Sequence, residues 1–317
     1  MRDRKMHLLA YVKTGPTAQL AGAWRHPSAD LDDIFRPERY EHMARVLEAA
    51  CFDGCFFADT LGLPDVYKGS FDTYLRYGGQ LSYLDPMIVL PVMARATRHL
   101  GLGATLSTTF HHPYHLARIL ASLDHLSQGR ACWNIVTSTT DFEARNFGLR
   151  DLPSKELRYD RADEVVEACC ALWDCWQEDA LVMDKESGLF IDPEKVRYAD
   201  YEGRYVRARG PLTIPRCPQG RPVLMQAGSS PRGRDFAARW AEAIRRPRNL
   251  MVGTPAMIAD HMQDMFESEG CDGFVLTPTI SPVMWEEFAR MLTPELQRRG
   301  LLRTEYTGAT MRENLRS

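Results

Sequence analysis

The sequence predicts an α/β fold whose parallel strands close toward a barrel, on three grounds. Short β-type runs alternate with stretches of helical periodicity along the chain. The long irregular connections, 13–36, 60–85 and 139–154, follow the first, second and fourth predicted strands and so gather at the strands' C-terminal ends. With 317 residues, 44% apolar and 26% charged, the chain can bury a large core. A doubly wound sheet would share the alternation, but the loop distribution favours the barrel.

Strands are predicted at 7–12, 54–59, 101–107, 131–138, 222–228 and 272–277. Helices are predicted at 37–50, 87–99, 113–126, 155–176, 231–244, 255–268 and 283–298. In the first helix, Tyr40, Met43, Leu47 and Ala50 share one stripe behind an opening Pro37. Ser229, Ser230 and Pro231 put cap and first-turn residues in order before another. Residues at about 178–221 read as an insertion, with 196–199 and 204–207 flanking Asp200-Tyr201-Glu202-Gly203 as a hairpin. No repeat or linker interrupts the pattern, so a single domain over 1–317 is expected.

A net charge of -3 gives no global field for nucleic acid or an anionic membrane. No stretch approaches the apolar length of a membrane helix and the first residues make no signal peptide, so a cytoplasmic protein is expected. The eight cysteines sit mostly in apolar segments and read as reduced core residues. No metal is expected: Cys51 and Cys55 lack a second pair, and His111 and His115 lack an acidic ligand nearby. Dinucleotide, Walker, nucleophile-elbow and His-Glu-x-x-His motifs are absent.

Five segments carry chemistry. Asp59 ends an apolar strand, where a carboxylate can accept hydrogen bonds from a ligand or cap a turn. Residues 104–115 cluster Thr105, Ser107, Thr108 and Thr109 with His111, His112 and His115, supplying donors, acceptors and an acid or base. Asn134 is a carboxamide on a buried strand, to be satisfied by protein or by a ligand. Arg158-Tyr159-Asp160-Arg161 opens a helix, as a solvated face or as an anion contact. Gln226 to Gly233 joins a strand to a helix start through Ser229 and Ser230, an anion seat or an ordinary cap. All five converge on one rim of one fold.

These segments, with Gly22-Ala23-Trp24-Arg25-His26, Pro113 to Arg118, Glu143 to Gly148, Gly210-Pro211-Leu212 and Arg303 to Tyr306, resemble the bacterial luciferase-like flavin monooxygenases. The likeness spans nearly the whole chain and points to the subgroup of nitrilotriacetate and dibenzothiophene-sulfone monooxygenases. Ala180-Leu181-Val182 with Asp184-Lys185 leans toward the sulfone-type members.

The resemblance implies a (β/α)8 TIM barrel with insertions that binds FMN at the strands' C-terminal ends. Asp59, Thr105, Ser107 and Asn134 would address the flavin ring and ribityl chain, while Tyr159, Ser229 and Ser230 would hold the phosphate. Lys155 stands where the family often has His, four residues before Tyr159, and can pair with phosphate as a point charge. Trp24, His26 and the 61–83 loop would face a small-molecule substrate, with His112 as the catalytic candidate.

The implied activity is a two-component monooxygenase. A separate NAD(P)H-dependent flavin reductase supplies reduced FMN, and a flavin hydroperoxide oxygenates a sulfone, amine carboxylate or similar molecule. Family members are commonly homodimers or homotetramers. The rivals are a deazaflavin-dependent hydride-transfer enzyme on the same barrel and a flavin-binding protein without turnover. The chain departs from the family after Ile244, passing directly to Gly253-Thr254-Pro255, which resembles the last unit. Late strands are therefore missing near 244–252. Joining across absent residues is favoured over deletion, because losing interior strands would expose the core.

Overall fold

The computed structural model describes residues 4–17, 19–245 and 250–317, and the chain divides into two compact units, 1–105 with 247–317, and 106–246. Among the described residues the strands are β1 (His7–Val12), β2 (Gly54–Phe57), β3 (Gly101–Ser107), β4 (Ala131–Val136), β5 (Tyr201–Glu202), β6 (Arg207–Ala208), β7 (Val223–Gln226), β8 (Ala243–Ile244) and β9 (Gly273–Leu276).

In the first unit β3, β2, β1 and β9 pair in parallel in that order, with Leu9 opposite Gly54, Gly54 opposite Gly101 and His7 opposite Gly273. β1 and β2 are almost wholly apolar and buried, as a parallel sheet covered by helices requires. The helix Pro37–Ala49 buries Tyr40, Met43, Ala44 and Leu47, the predicted stripe. The helix Pro86–Ala96 is capped by Asp85, whose carboxylate accepts the Met87 N–H at 2.8 Å. Below the strands' N-terminal ends, fully buried Asp53 accepts from Leu8 N–H (2.8 Å) and Arg303 (2.8 Å) and contacts His7 Nδ1 (3.0 Å). That end of the strands carries stability rather than chemistry.

In the second unit β4, β7 and β8 are parallel, with Ile135 opposite Gln226 and Met225 opposite Ala243. The helices Pro113–Leu126, Lys155–Trp173 and Pro231–Trp240 supply its core, in which Leu116, Leu120, Val165, Val166 and Phe236 pack with Trp133 and Leu224. The buried Trp133 and Trp173 indoles donate to Leu106 O (3.0 Å) and Ala117 O (2.9 Å), so neither polar edge is stranded.

Three expectations are corrected. The helix predicted over 231–244 stops at Trp240, and Ala243–Ile244 forms β8. Ala-Glu-Ala favours helix, but Glu242 and Arg245 N–H bond to Leu224 O (2.8 Å) and Gln226 O (3.0 Å), and ladder pairing outweighs propensity. The hairpin pairs Tyr201–Glu202 with Arg207–Ala208, so its turn falls after Gly203 and not at 200–203. Glu164 sets it by accepting the N–H groups of Arg204 (2.9 Å), Tyr205 (2.7 Å) and Val206 (3.2 Å). The helix over 283–298 is interrupted by a π-helical turn at Phe288–Leu292, next to Pro294, which lacks the N–H to continue the ladder.

All eight cysteines are thiols outside any disulfide, six of them buried. Among the described residues no helix is long and apolar enough to cross a membrane, and no cluster of side chains could hold a metal ion. The expected break near 244–252 includes residues 246–249, which lie outside the described residues.

Candidate active site

The second unit brings the phosphate candidates together. β7 ends at buried Gln226, whose side-chain oxygen accepts the Gly228 N–H and shapes the turn. Ser230 then caps the helix Pro231–Trp240, its Oγ accepting the Gly233 N–H at 3.1 Å. Because that oxygen is an acceptor here, its own O–H is free to point outward.

Tyr159 reaches the same turn from the helix Lys155–Trp173. Its ring is 6% exposed, stacks edge-on with Phe236 at 5.6 Å and lies beneath the Arg232 guanidinium at 5.4 Å. Arg232 is in turn fixed by Asp163 (2.5 Å) and Asp160 (3.3 Å), and Asp163 also accepts the Trp240 indole N–H at 2.6 Å. The phenol is thus aimed by an ionic clamp.

The seat shows in what side chains would do to it. A Cβ at Gly228 would lie 2.9 Å from the Tyr159 hydroxyl, and one at Gly233 would lie 2.7 Å from it and 3.1 Å from Ser230 Oγ. Two glycines therefore let the Tyr159 hydroxyl pack directly against the turn, beside Ser230 Oγ and the N-terminus of the helix, where hydroxyls and backbone N–H groups gather as they do at phosphate sites. Ser229 is exposed beside it, and half-buried Lys155 lies one helical turn before Tyr159 on the same face.

Elsewhere in this unit the hydroxyl and histidine cluster braces loops. Ser138 Oγ donates to Ser107 Oγ at 2.9 Å, Ser107 Oγ accepts the Thr109 N–H at 3.2 Å, and Thr109 Oγ1 donates to Thr137 O at 2.7 Å. Arg161 ties the cluster through Thr108 O (3.0 Å) and His111 O (3.5 Å), and burial lowers its pKa. Exposed His112 caps the helix Pro113–Leu126, its Nδ1 accepting the Tyr114 N–H at 3.2 Å. Only Nε2 of that ring remains for a ligand. Asn134, 4% exposed, is on β4.

Asp59, Thr105, Trp24 and His26 belong to the first unit. Thr105 is buried on β3. Asp59 follows β2 half-buried, its Oδ1 accepting the Thr60 N–H at 2.8 Å; burial raises its carboxyl pKa, partly offset by hydrogen bonds from Thr60 and Ser82. Trp24 donates its indole N–H to Tyr77 O at 3.0 Å, and His26 is exposed, with Nδ1 on the Ser28 N–H at 3.2 Å.

Sequence reading missed the clamp of Asp163, Arg232 and Trp240. The signal was present in part: Asp163 lies four residues after Tyr159, hence on its helical face. What Arg232 and Trp240 contact, however, depends on tertiary packing.

Comparison with known proteins matches residues 17–245 to the luciferase-like monooxygenase family model. Dibenzothiophene-sulfone monooxygenase of Rhodococcus erythropolis (strain XP) is 50% identical over 244 residues, 77% of this chain and 54% of that protein. The chain thus matches about half of that relative's length. Nitrilotriacetate monooxygenase component A of Aminobacter aminovorans is 29% identical over 423 residues, 93% of each chain, an alignment longer than the 317 residues present here. The crystal structure of DmoA from Hyphomicrobium sulfonivorans superposes with a TM-score of 0.92 at 28% identity, covering 98% of this chain and 92% of that one. The fold class expected from the strand and loop pattern is borne out by that superposition. On the family match and the shared fold together, the chain belongs to the luciferase-like monooxygenases.

Proposed function

We propose that this protein is the oxygenase component of a two-component system, using reduced FMN and O2 to oxygenate a small organic molecule. The observation that carries the reading is the meeting of the Tyr159 hydroxyl, Ser230 Oγ and the helix N-terminus at the Gly228 to Gly233 turn, a donor set suited to a phosphate monoester. Tyr159 and Ser230 would donate hydroxyls to the phosphate, with Ser229 beside them and Lys155 as a nearby positive charge. Pro231 has no N–H, so the helix offers the Arg232 amide first. Asp59, Thr105, Ser107 and Asn134 would address the ring and ribityl chain, and Trp24 and His26 the substrate.

When bound, reduced FMN supplies the electrons and the reaction with O2; the chain's residues bind, orient and exclude water. His112, offered as the catalytic group, would act through Nε2 because its Nδ1 is taken by the helix cap. Family membership supports the activity, and a relative named as component A supports a separate reductase. The reading includes a cytoplasmic homodimer or homotetramer and one flavin-binding barrel domain with an insertion at about 178–221.

Anaerobic titration of the chain with dithionite-reduced FMN tests that donor set, and labelled O2 with FMN, NADH and a flavin reductase tests the reaction. The expected result is saturable binding and label in the product. Absence of affinity for reduced FMN overturns the reading, and turnover with a deazaflavin alone replaces it with hydride transfer. Flavin binding without turnover on a substrate panel reduces it to a binding protein.

A further inference from the structure

Within the second unit, the insertion after the helix Lys155–Trp173 sends out an arm, residues 178–192. Its two sides are joined by Val182 and Met183 N–H to Phe190 O (3.0 and 2.9 Å), Asp184 N–H to Leu189 O (2.9 Å) and Asp192 N–H to Ala180 O (2.9 Å). The tip is locked as well, because the Asp184 carboxylate accepts the Glu186 N–H at 2.9 Å and the Ser187 hydroxyl at 2.5 Å. At the base Ala180 packs with Cys175, Trp176 and Ile191. Beyond it every residue from Leu181 to Phe190 is exposed. Five of them are large and apolar, Leu181, Val182, Met183, Leu189 and Phe190, the last 63% exposed. A two-stranded ribbon without a core of its own is marginal in water, so an ordered arm that displays this much apolar surface is built to be covered.

We propose that the arm seats on a second copy of this chain, two copies exchanging arms across a two-fold axis. Charge selects that occupant. Residues 178–192 carry five carboxylates and one lysine, whereas residues 197–221 of the same insertion carry six arginines and two carboxylates. Ala208 of β6 is buried while Arg207 and Arg209 on either side of it are exposed, and the Arg209 guanidinium lies 4.2 Å over the exposed Tyr198 ring. This strip offers flat aromatic and guanidinium surface to the arm's apolar side chains and positive charge to its carboxylates. Since Leu181 to Phe190 are exposed, the strip of the same chain does not receive them. An arm and a strip on each chain are self-complementary, as a two-fold contact requires, with arm meeting strip twice. Area agrees: at these exposures the five apolar side chains present roughly 400 Å² per arm, and two arms with the surfaces beneath them would bury on the order of 1,600 Å², a standard interface. The inference deepens the oligomer part of the reading above and depends on neither flavin nor turnover.

The test is sedimentation velocity of the intact chain over a range of concentrations. Self-association is expected, weakening as ionic strength rises. Phe190→Ser removes the most exposed apolar side chain of the arm and should weaken association about tenfold. Charge reversal then decides between a second copy and other occupants. Glu178→Lys with Glu186→Lys makes the arm basic, and Arg207→Glu with Arg209→Glu makes the strip acidic. Each double variant alone should sediment at half the wild-type assembly, and an equimolar mixture should regain it because both arm-to-strip contacts are restored. All these positions are exposed, and far-ultraviolet circular dichroism confirms folding. A wild type monomeric throughout overturns the proposal, as does an oligomer untouched by the variants or not regained on mixing. If Phe190→Ser leaves sedimentation unchanged but alters the affinity for reduced FMN, the arm serves its own chain's site and the proposal falls. Arm exchange as described with no affinity for reduced FMN leaves the proposal standing while the monooxygenase reading falls.

Discussion

Around Tyr159 the charged neighbours are fixed more than once. Arg232 is held by two carboxylates, Asp163 serves both Arg232 and Trp240, and the Ser230 oxygen is occupied by the helix it caps. Around Tyr74 the walls of a groove are loop residues, several of them more than half exposed, tied by single donors, Lys13 Nζ and the Trp24 indole N–H, to backbone carbonyls. The difference follows the chemistry each would handle. A phosphate demands directed donors in one geometry, so its seat is rigid and polar. An apolar body demands only area, which adaptable loops supply and which can differ among relatives sharing one seat.

The sharpest way to break this contrast is Gly233→Ala. The added Cβ meets the Tyr159 hydroxyl, whose ring cannot retreat between Phe236 and Arg232. Affinity for reduced FMN should fall by about one to two orders of magnitude, the cost of overpacking a rigid site. The gain in helix propensity, about 1 kcal/mol at most, offsets only part of the overpacking cost of about 1–3 kcal/mol, so the melting temperature should fall modestly as well. Retained affinity would mean that the seat is as yielding as the groove.

Tyr159→Phe comes next. Losing a hydroxyl donor to an anion costs about 1.5–3 kcal/mol, roughly ten- to a hundredfold in affinity. Because Gly233→Ala acts through the same hydroxyl, the double variant should be clearly less than additive. Full additivity would place the two residues at separate contacts.

How much of this was legible in the sequence follows the same division. The proposed phosphate residues have local signals: strand end, glycine, serines and proline lie within eight residues, and Tyr159 sits at a helix start, so composition and spacing singled them out. The strands were legible because buried parallel strands are continuous apolar runs. β8 was not, because two residues in a helix-favouring stretch become strand only by pairing with β7. The Glu164-anchored turn and the Arg232 clamp were hidden too, since their partners lie tens of residues away. Trp24 was singled out by motif, but only the fold shows its indole closing the Tyr77 loop.

Lys155→Met should produce a smaller effect. A half-exposed ammonium facing an anion contributes about 1 kcal/mol or less, so affinity for reduced FMN should drop a few-fold at low salt. The wild-type advantage should shrink as ionic strength rises, whereas the Tyr159→Phe deficit should persist. A salt-independent loss would instead make Lys155 a fixed hydrogen-bond donor like its neighbours.

The smallest effect is on stability and concerns Asp59 in the first unit. Burial raises its carboxyl pKa above the ordinary 3.8, the hydrogen bonds from Thr60 and Ser82 offsetting only part. Above the folded-state value the charged form is penalised in the folded chain. As pH falls through that value toward 3.8, the folded state takes up its proton first and the penalty is relieved. Asp59→Asn keeps an oxygen for the Thr60 N–H and removes the charge, so it should be slightly more stable than wild type at neutral pH, the gap closing on acidification. Melting temperatures across that window read the sign. If wild type instead loses ground to the variant as pH falls, the carboxylate is held by favourable partners rather than strained by burial. A penalty retained at a strand end where a ligand contact is proposed is what a functional carboxylate entails, and the same substitution should weaken reduced FMN if Asp59 touches the flavin ring.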